Sequence, residues 1–162
     1  MIRPARPTDC AAIAAIWNPV IRDTMVTFNA VEKTEEELRA TLTAKAQDGY
    51  PFFVAEEGGR VLGFATYGQF RGGVGYAHTM EHTIILGPEA WGRGIGRALM
   101  TAIEDHGRAR GAHSMIAGVS GANAPGIAFH AAVGYAEVAV LPEVGFKAGQ
   151  WLDLVLMQKL LT

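Results

Sequence analysis

The chain has 162 residues, about one domain's worth, with 49% hydrophobic and 19% charged residues, the make-up of an ordinary globular protein. Fourteen Lys and Arg against 16 Asp and Glu give a formal net charge of −2, without the basic surplus that nucleic-acid binding calls for. Apolar stretches are interrupted every few residues, short of the roughly 20 that cross a bilayer, and no polar low-complexity block argues for disorder.

Met1 to Pro7 lacks an apolar h-region and reads as the start of a folded chain rather than a signal peptide. Ile2 to Ala5 is a short extended start. Thr8 is expected to N-cap a helix in which Ile13, Ile16, Trp17, Val20 and Ile21 recur at helical spacing. Thr34 to Glu37 reads as a capping box that opens a more polar helix with Leu38 and Leu42 inward, closed by Gly49-Tyr50-Pro51. Phe52–Glu56 and Arg60–Tyr67 predict a hairpin around Gly58-Gly59, and a glycine-rich turn leads to a third long strand, Thr79 to Leu86.

Gly87-Pro88 breaks that strand. After Gly92-Arg93-Gly94-Ile95-Gly96 comes a helix with Ile95, Leu99, Ala102, Ile103 and His106 on one face and Gly111 as its stop. Ser114 to Val119 is a strand, Asn123-Ala124-Pro125 opens a helix that Gly134 closes, and Tyr135–Leu141 and Trp151–Leu160 are the last two strands. The final strand alternates, with Leu152, Leu154, Leu156 and Leu160 on one face. The order β-α-α-β-β-β-α-β-α-β-β predicts one mixed α/β (α+β) domain over residues 1–162, with no internal repeat or linker.

The single cysteine, Cys10, cannot form an intramolecular disulfide. It reads as a buried structural thiol and fits a reducing, cytoplasmic compartment. The five histidines, at 78, 82, 106, 113 and 130, show no metal-ligand spacing, so no metal is expected.

Glycine is the compositional outlier, with 20 residues in the chain, where an average share of about 7% gives roughly 11. Three of them, Gly92, Gly94 and Gly96, stand between a strand and a helix. Backbone N–H groups there converge on one concavity and the helix N-terminus adds positive potential, a device that holds phosphate. The segment lacks the Gly-Lys-Ser/Thr of a P-loop and has G-x-G-x-G spacing, unlike a dinucleotide fingerprint. A tight β–α turn packed against a strand would look the same.

Pro88-Glu89-Ala90-Trp91-Gly92-Arg93-Gly94-Ile95-Gly96-Arg97-Ala98-Leu99 resembles the acetyl-CoA pyrophosphate loop of the GNAT-type N-acetyltransferases, with Trp91 where that family usually has Gln or Arg. The element order resembles that fold throughout, which implies a single GNAT-type domain with about seven mixed strands flanked by about four helices. Tyr67–Arg71, Thr79–Leu86, Phe129–Tyr135 and Val144–Leu154 further resemble the phosphinothricin and methionine-sulfoximine (or sulfone) acetyltransferase branch, over essentially the whole chain.

The resemblance implies acetyl-CoA as co-substrate, a small amino-acid-like acceptor and a homodimer, with neither nucleic acid nor membrane as partner. Acetyl transfer to an amine that arrives as ammonium needs a base. Glu81 is the candidate: a carboxylate in an apolar-to-Thr strand is costly to bury without partners, although a solvated or ion-paired carboxylate would fit too. By resemblance the backbone of Ile84, Ile85 and Leu86 lines the pantetheine arm, and Gly92, Arg93, Gly94, Ile95, Gly96 and Arg97 hold the pyrophosphate. Both arginines also read as solvated helix-start charge. Asn123 corresponds to a CoA-contacting Asn and equally reads as a helix N-cap. His130 falls where many relatives carry a Tyr that protonates the thiolate; a packed helix histidine reads as well.

For the acceptor, Arg71 is expected to grip a carboxylate, with Gly72, Gly73, Glu81, His82, Thr83 and Phe28 around it. Phosphinothricin-type relatives often show a second Arg at the place of Gly73, so a single-carboxylate amino acid such as methionine sulfoximine or sulfone fits better. Acetylation of a polyamine or a protein N-terminus, or silent binding of an acyl-CoA, are the competing readings.

Overall fold

In the computed structural model, which describes residues 1–162, the chain runs β1 (Ile2–Pro4), α1 (Cys10–Asp23), α2 (Glu35–Asp48), β2 (Phe52–Glu57), β3 (Arg60–Gln69), β4 (Thr79–Leu86), α3 (Ile95–Ala109), β5 (Ser114–Ser120), α4 (Ala124–Ala132), β6 (Ala136–Lys147) and β7 (Gln150–Leu160). Its strands form one seven-stranded sheet in the order β1-β2-β3-β4-β5-β7-β6, antiparallel throughout except between β4 and β5. That is the predicted succession of elements. One face packs on α3 and α4 through a core that includes Leu99, Ile103, Met115, Ala117 and Met157. The other packs on α1 and α2 through Cys10, Ile13, Leu38, Val54 and Phe64. A fully buried Leu, Ile or Phe contributes about 1.5–3 kcal/mol against staying in water, so these two layers hold the sheet between them.

Local chemistry explains most boundaries. Thr34 Oγ1 accepts the Glu37 N–H at 3.1 Å to start α2, and Gly49 ends it at φ 75°. Gly58 and Gly59, at φ 58° and 79°, make the left-handed two-residue turn whose twist matches an antiparallel hairpin.

Three expectations change. Thr8 does not cap α1: the Asp9 carboxylate accepts the Arg6 N–H at 2.7 Å and holds the Arg3 guanidinium at 2.8 and 2.9 Å, so the chain enters α1 through a short 3-10 turn. A charge-assisted pair outcompetes a hydroxyl cap, and hydrogen bonding from Arg3 holds the Asp9 carboxyl below its ordinary range. The sixth strand extends six residues past Leu141, because Pro142 needs no ladder N–H on an edge strand and the extra residues are absorbed in a bulge between Leu141 and Gly145. In β7 the leucine row does share a face, but the α3/α4 core takes the opposite one, Val155 and Met157, while Leu160 stays 56% exposed. A strand inside a sheet covered on both faces carries apolar residues on both.

Candidate active site

The parallel ladder between β4 and β5 is three pairs long, Thr79↔Ser114, Met80↔Met115 and Glu81↔Ile116. On its other side β4 stays paired with β3 as far as Gly63↔Leu86. Beyond Glu81 the two parallel strands therefore part, and the β5-side edge of Ile84, Ile85 and Leu86 is left without a strand partner. Such an edge accepts an extended, amide-bearing ligand in place of a strand.

The fork opens towards the glycine loop. Gly92 and Gly94 adopt φ 70° and 79°, and open space lies where their Cβ atoms would be. Gly94 is the N-cap of α3, so the first-turn N–H groups of α3 point outward unpaired. Between this loop, the end of β4 and α4 lies a cavity of about 210 Å³, lined by Leu86, Gly92, Gly94, Arg97, Phe129 and Val133 among others. The donors suit a phosphate group and the apolar lining suits a methylene-rich arm, so an acyl-CoA fits the residues present.

Gly96 has a different part from its two neighbours. It is buried, and a Cβ on it would stand 2.9 Å from the Phe129 ring and 3.2 Å from Leu86. Its smallness lets Phe129 close the cavity floor. Gly96→Val is therefore expected to push Phe129 into the cavity and weaken acetyl-CoA binding about tenfold or more, read by calorimetry, since overpacking costs of order 1–3 kcal/mol. The two arginines separate as well. Arg97 donates to the Ala132 carbonyl at 3.2 Å beside the cavity, whereas Arg93 turns away to the Glu57 carboxylate at 2.6 Å and the Glu89 carbonyl at 3.1 Å. The Arg93 side chain is thus engaged elsewhere, and only its backbone belongs to the loop.

Glu81 is the last ladder residue before the fork. It is half-buried on a central strand and makes no ion pair within 4.0 Å or hydrogen bond with protein, which removes the ion-paired reading of its carboxylate. Burial pushes its pKa up, and the nearby positive charge of Arg71 holds it down in part. Room around it comes from Gly118 on β5: a Cβ there would be 3.0 Å from Glu81 Oε2 and 3.4 Å from Leu154. Arg71 is exposed, its guanidinium 5.2 Å from the Phe70 ring centroid. The Gln69 amide pins the turn beyond Arg71 by donating to the carbonyls of Arg71 at 2.6 Å and Gly73 at 2.8 Å. Thr83, two residues on, shares the face of Glu81.

Phe28 reaches the same face from the α1–α2 connection. Its ring covers Gly145 so closely that a Cβ there would be 2.7 Å away, and the buried Lys147 ammonium donates to the Thr27 carbonyl at 2.8 Å. Asn123 caps α4, its Oδ1 accepting the Gly126 N–H at 3.0 Å. His82 is not an acceptor contact. It alternates with Glu81 along β4, lies on the opposite face of the sheet, is 7% exposed and meets His130 of α4 at 2.9 Å. Burial lowers the pKa of both rings, that of His82 to about 3.

Beyond this geometry, residues 17–135, more than half of the chain, match the sequence model of the acetyltransferase (GNAT) family. The chain belongs to the GNAT family. As a GNAT chain it is an acetyltransferase, and its seven-stranded mixed sheet with four helices is the family fold. It is 39% identical over 157 residues to the L-amino acid N-acyltransferase MnaT of Escherichia coli K12, covering 97% of this chain and 91% of that one. It is 38% identical over 157 residues to an L-methionine sulfoximine/L-methionine sulfone acetyltransferase of Salmonella typhimurium, covering 97% and 92%. The solved yncA structure from Salmonella typhimurium, determined with its cofactor acetyl-CoA, superposes with a TM-score of 0.95 at 38% identity, covering all of this chain and 94% of that one.

Four further residues shape the surroundings of the candidate site. Gly118 had a signal, a glycine inside a strand, which marks close approach of another group. Gly145 and Lys147 stand in the Val144–Leu154 segment that carries the resemblance, but beyond the expected strand end at Leu141, so their packing on Phe28 and Thr27 was not legible. Glu104, inside α3, had no signal: it is buried against Lys159 at 2.7 Å and the Tyr135 hydroxyl at 3.0 Å, partners distant in sequence.

Proposed function

We propose that the protein transfers the acetyl group of acetyl-CoA to the α-amine of a small amino acid or analogue of the methionine sulfoximine or sulfone type. The observation that carries this is the unpaired, half-buried Glu81 carboxylate at the end of the β4–β5 ladder with the Arg71 charge near it. Arg71 receives the acceptor carboxylate and Glu81 takes a proton from the ammonium, directly or through water. The freed amine attacks the thioester carbonyl, whose developing oxyanion faces backbone N–H groups on the open edge of β4. Gly92 to Arg97 and Asn123 hold the nucleotide end, Phe28 and Leu154 bound the acceptor side chain, and His130 supplies the proton to the departing thiolate. Both substrates are held together and no covalent enzyme intermediate forms.

The names of the two amino-acid-acylating relatives support an amino-acid acceptor. The lone buried thiol of Cys10 suits a reducing cytoplasm. Exposed apolar side chains support a homodimer: the edge strand β6 exposes Val140, Val144 and Phe146 and its neighbour β7 exposes Trp151, a surface suited to cover by a second copy.

The test is a comparison of kcat/KM by thiol release from acetyl-CoA for methionine sulfoximine, methionine sulfone, phosphinothricin, spermidine and an Ala-initiated peptide. The sulfoximine and sulfone are expected to lead; preference for spermidine or the peptide would overturn the reading. Arg71→Ala is expected to raise the acceptor KM about tenfold or more and leave that of acetyl-CoA unchanged, as loss of a charge-assisted pair costs about 1.5–3 kcal/mol. Glu81 acts deprotonated, so kcat/KM falls as pH drops through its raised pKa. Removing the Arg71 charge raises that pKa further and moves the acidic limb of the profile to higher pH.

A further inference from the structure

Three contacts of two histidine rings tie β4, β5 and α4 together where β4 and β5 part. His82 Nδ1 lies 3.1 Å from the Ile116 carbonyl oxygen, His82 Nε2 lies 2.9 Å from His130 Nε2, and His130 Nδ1 lies 2.7 Å from the Gly126 carbonyl oxygen. Carbonyl oxygens only accept, so each Nδ1 must carry a hydrogen to bond, and the Nε2 contact needs a third. Two neutral rings bring two. A neutral pair therefore leaves one contact with lone pair facing lone pair, and one added proton completes all three. A fourth proton has no place, because it would set two cations 2.9 Å apart.

We propose that His82 and His130 form a one-proton store at the β4–β5 fork, in which the extra proton sits between the two Nε2 atoms and His82 is the positioning residue that holds it for delivery by His130. This rests on the proposed reaction, in which His130 protonates the thiolate. Ile116 fixes the Nδ1 hydrogen of His82, so the Nε2 of His82 presents a lone pair, and the hydrogen at the Nε2 contact belongs to His130. When the C–S bond breaks, its electron pair goes to sulfur and the Nε2 proton of His130 moves to sulfur, leaving a neutral pair and a thiol. The acceptor nitrogen loses two protons between ammonium and amide. One leaves through Glu81 to solvent and the other replaces the proton given to sulfur.

The location fits. From Leu86, beside the cavity, back to His82 is four residues of strand, about 13 Å, comparable with an extended pantetheine arm whose thiol end then reaches the fork. The surroundings leave the pair to itself. The Tyr135 ring packs on both histidines, at 5.6 and 5.5 Å, with its hydroxyl turned away to Glu104 of α3, which Lys159 of β7 neutralises. On β3, Tyr67 stands opposite His82 in register and its hydroxyl is engaged by His106. Glu81 lies on the other face, and neither β5 nor α4 brings a further titratable side chain. Burial opposes the added charge, so the store fills below the ordinary imidazole range, and the charge of His130 then adds to burial in driving the second step on His82 down to about 3.

The free protein, labelled with 15N in its histidines, tests this by NMR titration from about pH 8 to about pH 5. The Nε2 signals of His82 and His130 are expected to move together as one proton enters the pair. Independent titration of the two rings, or two fixed neutral tautomers throughout, would overturn the proposal. His82→Leu is expected to lower kcat about tenfold or more, shift the alkaline limb of kcat, and leave the acetyl-CoA KM unchanged. His82→Gln, whose amide oxygen can stand where the Nε2 lone pair was, is expected to recover most of the rate. A wild-type pH profile in His82→Leu would contradict a positioning role. The titration needs no acceptor, so it judges the pair even if the acceptor proposal fails; acetylation that persists with independent rings removes the pair alone.

Discussion

Glu81→Gln is expected to lower kcat by about 10²- to 10⁴-fold while acetyl-CoA binds as tightly as before. The amide keeps the size and shape of the side chain and removes only its capacity to take a proton. Because Glu81 forms no ion pair, its replacement leaves no buried cation behind, and the fold should not lose stability. The acetyl-CoA side of the fork, from Ile84 through the glycine loop, is built from other residues. Steady-state rates and calorimetric titration of acetyl-CoA on the same preparation check both halves. Equal loss of rate and binding would show that Glu81 shapes the cofactor site instead of acting as base.

The second large effect concerns stability. Glu104→Ala is expected to destabilise the protein by about 3–5 kcal/mol, measured by urea denaturation at neutral pH. Glu104 is 3% exposed, accepts from Lys159 Nζ at 2.7 Å and from the Tyr135 hydroxyl at 3.0 Å, and has Arg108 at 3.9 Å. Truncating it strands a partly buried ammonium and a buried hydroxyl together. The Tyr135 ring packs on both His82 and His130, so the loss should also loosen the β4–β5 fork from behind. A change below about 1 kcal/mol would place this network among ordinary surface pairs.

Local chemistry carries its signal in neighbouring residues, and those parts of the fold were legible. The Thr34 cap, the Gly58-Gly59 turn, the Asn123 cap and the strand Thr79–Leu86 each follow from a few adjacent side chains. Contacts between distant residues were not. Asp9 rather than Thr8 stands at the N-cap position of α1, its carboxylate turned back to Arg6 and to Arg3, which the fold also brings alongside Glu56. β6 continues through Pro142 because it ends up as an edge, which no local pattern states.

In the site the same division holds. Glu81 and the glycine loop could be named from the residues and from family resemblance. The opposite facings of Glu81 and His82 follow from strand alternation, which sets His82 away from the Glu81 face. That Arg93 turns to Glu57 while Arg97 borders the cavity depends on a hairpin 36 residues away from Arg93. The surplus of glycine resolves into separate uses: Gly94 opens a helix N-terminus, Gly96 admits Phe129, and Gly118 leaves space at Glu81.

In the proposed reaction the acetyl group passes directly between two substrates held at the fork. Initial rates of thiol release over a grid of acetyl-CoA and L-methionine sulfone concentrations test it most directly. One thiol is expected for each N-acetyl product, with double-reciprocal lines that intersect, as a ternary complex requires. Parallel lines, which mark a covalent acetyl-enzyme, or acetyl-CoA binding without thiol release to any amino acid, would contradict it.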